Sequence, residues 1–373
     1  MGGDGQARRY EALDGLRGVA AGGVVAFHIG LGWFHGRLLP HAYLAVDFFF
    51  LLSGFVVAHA YADRMATGGL SAAGFLRRRA ARLYPMLLAG SVIGAAALAM
   101  KLQQTGEHPG PVRLAVAMGL GLLVLPGPQV AMTLGAFCLN PPAWSLFYEA
   151  LANGAWAAAA RRLTRPLLIA VIVASFLALV AYAFRFGGLR VDHDAIPVTL
   201  WAGLPKVSFG FFFGVLLQGL EREGRLPDLR MSPLLAAGVL LLVFAVPAGR
   251  PLVDLLCVTV LFPALVIAGR RPPGPRLAVL CRGSGALSYP LYAVHGPVLV
   301  IASILSRAHG WGAVGAAGGA AATVVTALVV MGLGRWIKAW RGRDPSPSHR
   351  SSSDGPLPLP MGEGLRCAIV PLP

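Results

Sequence analysis

"ALDGLRGVAAGGVVAFHIG", residues 12–30, reads as a membrane helix interrupted by an aspartate, an arginine and a histidine. Apart from Asp14, Arg17 and His28 it is apolar or glycine, and its length is that of the roughly 17 to 25 residues that cross a bilayer. An ionised group against lipid is costly, so such groups turn toward a bundle interior or a wet path. Arg17 and His28 return, at about 100° per residue, to within about 20° of one face, about 16 Å apart along the axis. The spacing predicts that both point into one shared, water-accessible hollow. Asp14, one turn before Arg17, is placed to orient or neutralise it.

The same character runs through the chain. Of 373 residues 56% are hydrophobic and only 13% charged, with mean hydropathy +0.67; in a soluble domain about a quarter are charged. Apolar runs near 13–32, 43–61, 83–100, 143–160, 167–184, 203–219, 233–248, 251–268, 286–305 and 313–334 predict an all-α polytopic membrane protein of about ten transmembrane helices. A further apolar segment, 112–125, is short for a span and reads as re-entrant or interfacial.

The net charge of +16 comes from arginines clustered between apolar runs, the pattern of cytoplasmic loops rather than of a nucleic-acid surface. Arg8 and Arg9, Arg64, Arg77, Arg78, Arg79 and Arg82, Arg161, Arg162 and Arg165, and later clusters through Arg343 fall on one side; Arg37, Lys101, Arg113, Arg185, Arg190, Arg250 and Arg307 are spread thinly on the other. The asymmetry predicts cytoplasmic termini in a bacterial inner membrane. Asp14 and Arg17 break the first apolar run, so it reads as a retained helix and not a cleaved leader. Residues 1–342 are expected to form the membrane domain and 343–373, rich in Ser and Pro, a disordered cytoplasmic tail. Cys138, Cys257, Cys281 and Cys367 fit neither a disulfide framework nor a zinc site, and no metal is expected.

Other polar groups interrupt the apolar runs. Glu149 in "PPAWSLFYEALANGAW" follows Pro141 and Pro142, at the outer entrance of the fourth span, with Asn153 one turn on and Ser145 one turn back. Ser288, Tyr292 and His295 fall along one side of the ninth helix, which Pro290 and Pro297 should perturb. Asp47 lies near the outer end of the second span. Each has a plainer reading: Arg17 snorkelling to the interface, His28 packed in the core, Glu149 tethering two helices. In "FLRRRAARLYP" the arginines fix topology, while Arg78 and Arg82 form an i, i+4 pair able to grip phosphate oxygens.

Five stretches in order, "LDGLRGVAAGGVVAFH", "VDFFFLLSGF", "RRRAARLYP", "PAWSLFYE" and "LSYPLYAVHGPV", resemble the acyltransferase 3 family of membrane O-acyltransferases. The resemblance implies a ten-helix core and transfer of an acetyl or other short acyl group from cytosolic acyl-CoA, as co-substrate with no tightly bound cofactor, to a hydroxyl of a cell-envelope polysaccharide. It implies His28 as the catalytic histidine, Arg17 as the essential arginine, Glu149 as the acid of the Trp-Ser block, and Arg78, Arg82 and Arg17 at the acyl-CoA site. Asp14, Asp47, Ser145, Asn153, Tyr292 and His295 are then candidates for lining the acceptor cavity. Gly296 stands where many relatives have tryptophan. A small-molecule or lipid-linked acceptor, a homo-oligomer, and a transporter using the buried Arg, His and Glu stay open beside this reading. The topology has a direct check: a reporter fused after Pro373 should react with membrane-impermeant reagents only once cells are opened, and labelling of intact cells would refute cytoplasmic termini.

Overall fold

The computed structural model describes residues 9–128, 130, 135–191 and 196–341, without side chains for 196–201 and 337–341; the expected tail, 343–373, lies outside them. The described residues form α1 (Glu11–Trp33), α2 (Ala45–Ala66), α3 (Ala72–Thr105), α4 (Pro111–Leu122), α5 (Trp144–Ala159), α6 (Arg165–Phe186), α7 (Ile196–Arg222) and α8 (Pro233–Ala245). Then come α9 (Pro251–Leu256), a π-helical turn (Cys257–Leu261), α10 (Phe262–Ala268), α11 (Pro275–His309) and α12 (Gly312–Arg341). Met1–Gly334 is one compact unit; Arg335–Pro373 is a second, described only as far as Arg341.

Among the described residues, eight helical segments are long and apolar enough to cross a membrane. They are α1, α2, α3, α6, α7, the continuous α9–α10, α11 and α12. The other two expected spans coincide with α5, of 16 residues, and α8, of 13. At about 1.5 Å per residue these extend only about 24 and 20 Å, less than the roughly 30 Å hydrocarbon core. The segment expected to be re-entrant overlaps α4, shorter still at 12 residues. Large apolar side chains face outward along α6 and α12, among them Leu177 and Val314, as lipid-facing surfaces require.

Two helices begin well before their apolar runs. α3 starts at Ala72, where the Ser71 hydroxyl accepts a hydrogen bond from the Gly74 N–H at 3.1 Å, so Arg77 to Arg82 ride on its first turns instead of lying in a loop. α11 starts at Pro275, a favoured first helical residue. It runs as one helix through Pro290 and Pro297, and the expected local disturbance shows at Pro297 as a missing backbone hydrogen bond. Pro297 has no N–H for the Ala293 carbonyl, and the Asn140 side chain donates to that carbonyl instead at 2.8 Å. Outside the spans, hydrogen bonds from Arg271 hold the Asp228 carboxyl below the usual carboxylate range, and Arg165 does the same for Glu223.

The core is built by α1 on α11, α2 on α7 and α11 on α3. Small residues bring these backbones together. A Cβ on Gly54 of α2 would lie 1.8 Å from the Phe211 carbonyl oxygen of α7, and one on Gly214 of α7 would lie 2.1 Å from the Leu51 oxygen. Gly54→Ala should therefore destabilise the fold by about 1–3 kcal/mol through overpacking. Gly22→Ala, where no atom lies within 4 Å, should be neutral or better. Thermal unfolding of the two purified variants in detergent separates these outcomes.

Candidate active site

Two polar centres lie along the α1–α11 seam. The first surrounds Arg17. Its Nε donates to Ser288 Oγ and its Nη2 to the Gly285 carbonyl, both at 2.9 Å, while Asp14 Oδ1 lies 3.0 Å from Nη2. Arg9 donates to the other Asp14 oxygen at 2.8 Å. Arg82 and Glu149 are within electrostatic reach of Arg17. Glu149 Oε1 accepts from Arg79 Nη2 and from Ser53 Oγ, each at 2.6 Å. These pairings put Glu149 at the basic end of the bundle, beside the arginine-rich turns of α3, and not at an outer entrance. Asn153 serves the same helix locally, donating to the Glu149 carbonyl at 2.7 Å. Arg78 and Arg82 are exposed on α3, whereas Arg79 turns inward.

The second centre is a cavity of about 280 Å³ whose wall includes His28, Phe27, Tyr43, Lys206, Tyr292 and Gly296. His28 Nδ1 lies 2.9 Å from the Val24 carbonyl. A carbonyl can only accept, so Nδ1 carries the proton and Nε2 of the neutral ring carries the lone pair. His295 repeats the device, with Nδ1 2.8 Å from the Tyr292 carbonyl. The two rings meet edge to face, centroids 4.9 Å apart. The Tyr292 hydroxyl is 2.7 Å from Ser145 Oγ, which joins α11 to the first turn of α5. Gly296 is glycine for want of room: a Cβ there would sit 2.6 Å from Pro142 Cδ.

The single hollow expected for Arg17 and His28 is not what forms. Both residues face α11, as their spacing predicts, but Arg17 is not on the cavity wall. It is held by Gly285, Ser288 and Asp14 about three turns away. Of the six residues expected to line the acceptor cavity, Tyr292 does so. His295 is fully buried behind the wall; Asp14 serves Arg17, Ser145 backs Tyr292, Asn153 bonds its own helix, and Asp47 pairs with Lys206 at 2.9 Å. Glu149 does not orient His28 through Nδ1, because the Val24 carbonyl occupies that position.

Sequence reasoning passed over Lys206, Asp254 and His41. All three are buried, and Asp254 pairs with His41. The signal was there in the first two, since each is an ion inside an apolar run.

The family model described as an acyltransferase domain matches residues 10–334. The chain is 38% identical over 186 residues to "Protein 2 in picA locus" of Rhizobium radiobacter, covering 48% of this chain and 96% of the relative. It is 29% identical over 359 residues to "Acyltransferase MdmB" of Streptomyces mycarofaciens, covering 87% of this chain and 89% of that protein. No solved structure matches.

The inward arginine gives a quantitative expectation. Arg79→Met and Glu149→Gln should each cost about 1–3 kcal/mol, because each strands a mostly buried partner. The double variant should lose less than the sum, with a coupling of about 0.5–3 kcal/mol. Denaturation of the four proteins in one detergent measures the cycle, and strict additivity would show that the pair is not coupled.

Proposed function

The chain belongs to the acyltransferase 3 family, and from that premise we propose that it moves an acetyl or other short acyl group from cytosolic acyl-CoA to a hydroxyl of a cell-envelope glycan. In this reading the protein sits in the bacterial inner membrane with cytoplasmic termini. What supports it above all is the state of His28: a cavity-wall imidazole whose Nδ1 proton is committed to Val24, leaving Nε2 as the basic atom.

The reaction then runs in a definite order. An acceptor hydroxyl enters the cavity, and its oxygen attacks the thioester carbonyl carbon while His28 Nε2 removes its proton. The C–S bond breaks, and the proton on His28 passes to the departing thiolate, giving ester and free CoA. Phe27, Tyr43, Trp144 and Tyr292 on the wall offer apolar faces, the last three with a polar group at the ring edge, the kind of surface a sugar ring packs against.

The donor belongs at the other centre. Arg78 and Arg82 are exposed on α3 and Arg17 lies deeper, a gradient of positive charge suited to the phosphates of coenzyme A. The roughly 16 Å along α1 from Arg17 to His28 is a span of the order an extended pantetheine arm covers, and in this reading the arm reaches His28 only by parting the small buried residues Ala20 and Ala21 that close the path between the two centres. The charge balance of the loops supports a cytosolic position for this centre and a far-side position for the cavity, where envelope glycans lie.

Two measurements test the reading. Purified His28→Gln should lose transfer from acetyl-CoA by about 10²-fold or more, and full retention would remove His28 from the chemistry. Mass analysis of envelope carbohydrate from cells with and without the active chain should differ by an acyl ester, and no difference would refute a glycan acceptor.

A further inference from the structure

The turn 187–191, which follows α6, supplies Leu189, Arg190 and Val191 to the cavity wall. The peptide groups of Leu189 are gripped on both sides by buried ions. Its N–H donates to Asp254 Oδ2 at 2.6 Å, and its carbonyl accepts from Lys206 Nζ at 2.6 Å. Asp254 is fully buried and also accepts from the Tyr43 hydroxyl at 2.8 Å and pairs with His41. Lys206 is balanced by Asp47. Gly188 is fitted to the grip: its φ of +149° is one that side-chain-bearing residues rarely adopt, and a Cβ would lie 2.9 Å from Asp254 Oδ2.

Stability alone does not ask for this arrangement, since buried ion pairs do no better than apolar packing of the same volume. Its geometric effect is specific. Four separate segments, the 41–47 stretch, the 187–191 turn, α7 and α9, are locked together at the cavity rather than along the lipid-facing surface. Asp254 is moreover followed by the π-helical turn of residues 257–261, a local irregularity frequent near functional sites.

We propose that Asp254 and Lys206 are positioning residues for the acceptor: by clamping the Leu189 peptide they fix the wall against which the acceptor is held while its hydroxyl meets His28. This rests on the cavity being the acceptor site. Neither ion takes part in the proton transfer. The clamp acts on the fit of the acceptor and leaves the donor centre at Arg17 and Glu149 untouched.

The test uses the full chain in lipid nanodiscs, labelled acetyl-CoA as donor and an envelope glycan fraction as acceptor probe. Lys206→Met and Asp254→Asn should raise the half-saturating acceptor concentration at least tenfold, with that for acetyl-CoA changed less than twofold and the saturated rate less than threefold. Lys206→Arg should recover most of the acceptor affinity, because it keeps a donor for the Leu189 carbonyl. Equal rises for donor and acceptor, or a fallen saturated rate with unchanged half-saturation, would overturn the clamp. Should either variant fail to fold, His41→Asn takes its place. His41 is off the cavity wall, so a rise of at least threefold in acceptor half-saturation alone supports the clamp and no rise refutes it. Full activity of His28→Gln, or no labelled ester on the glycan with the unaltered chain, would overturn the site reading itself and the clamp with it. A failed clamp beside an inactive His28→Gln leaves the site reading standing.

Discussion

The constraint on which this architecture turns is the parallel register of α1 against α11. Glu11 pairs with Arg282, Arg17 donates to Ser288, and the Trp33 indole donates to Ser306 at 2.9 Å. The first two contacts join residues 271 apart in sequence and the third joins residues 273 apart. Two helices whose contacts stay within two residues of one offset over about six turns are neither splayed nor slipped. Each such hydrogen bond in a membrane contributes only about 0.6–2 kcal/mol, but together they fix which residues share a level. His28 therefore meets His295, and Arg17 meets the Gly285 carbonyl, with no independent choice at either place.

That register also explains why the seam holds two polar centres instead of one. Between Arg17 and His28 the inward residues of α1 are Ala20, Ala21 and Val24, all buried; Val24 belongs to the cavity wall, and Ala20 and Ala21 close the face between that cavity and Arg17. An arginine in such a setting must find acceptors nearby, and a backbone carbonyl of α11 together with Asp14 is what the register offers. Helical periodicity announces the shared face. It carries no information on whether the space between two side chains is filled, because that depends on the neighbouring helix.

The spans were legible in the sequence because about twenty apolar residues in a row admit few other interpretations, and the arginine–histidine spacing put both residues on one face of α1, the one that meets α11, but not in the one hollow expected of them. Less legible were the helix starts. Apolarity ends at the membrane surface while the helix of α3 continues to Ser71, carrying Arg79 inward to Glu149 on the first turns. Glu149 was thus placed at the wrong level, since its partner belongs to a stretch that reads as loop. Lys206 and Asp254 were visible as charges in apolar runs, but their meeting at Leu189 depends on a turn 17 residues before one and 65 before the other.

Polar satisfaction connects these cases. In a medium without water, a proline, a lysine or an aspartate is tolerated only where another segment completes its hydrogen bonding. Pro297 leaves the Ala293 carbonyl to Asn140, Asp254 gathers donors from three places, and His28 and His295 give their Nδ1 protons to their own helices. The last case differs in kind. A ring nitrogen satisfied by its own helix consumes no group from elsewhere, and in a neutral ring whose Nδ1 carries the proton the lone pair is left on Nε2. Fixing a tautomer in this way needs no carboxylate partner, and that frees Glu149 to serve the arginine cluster three turns below.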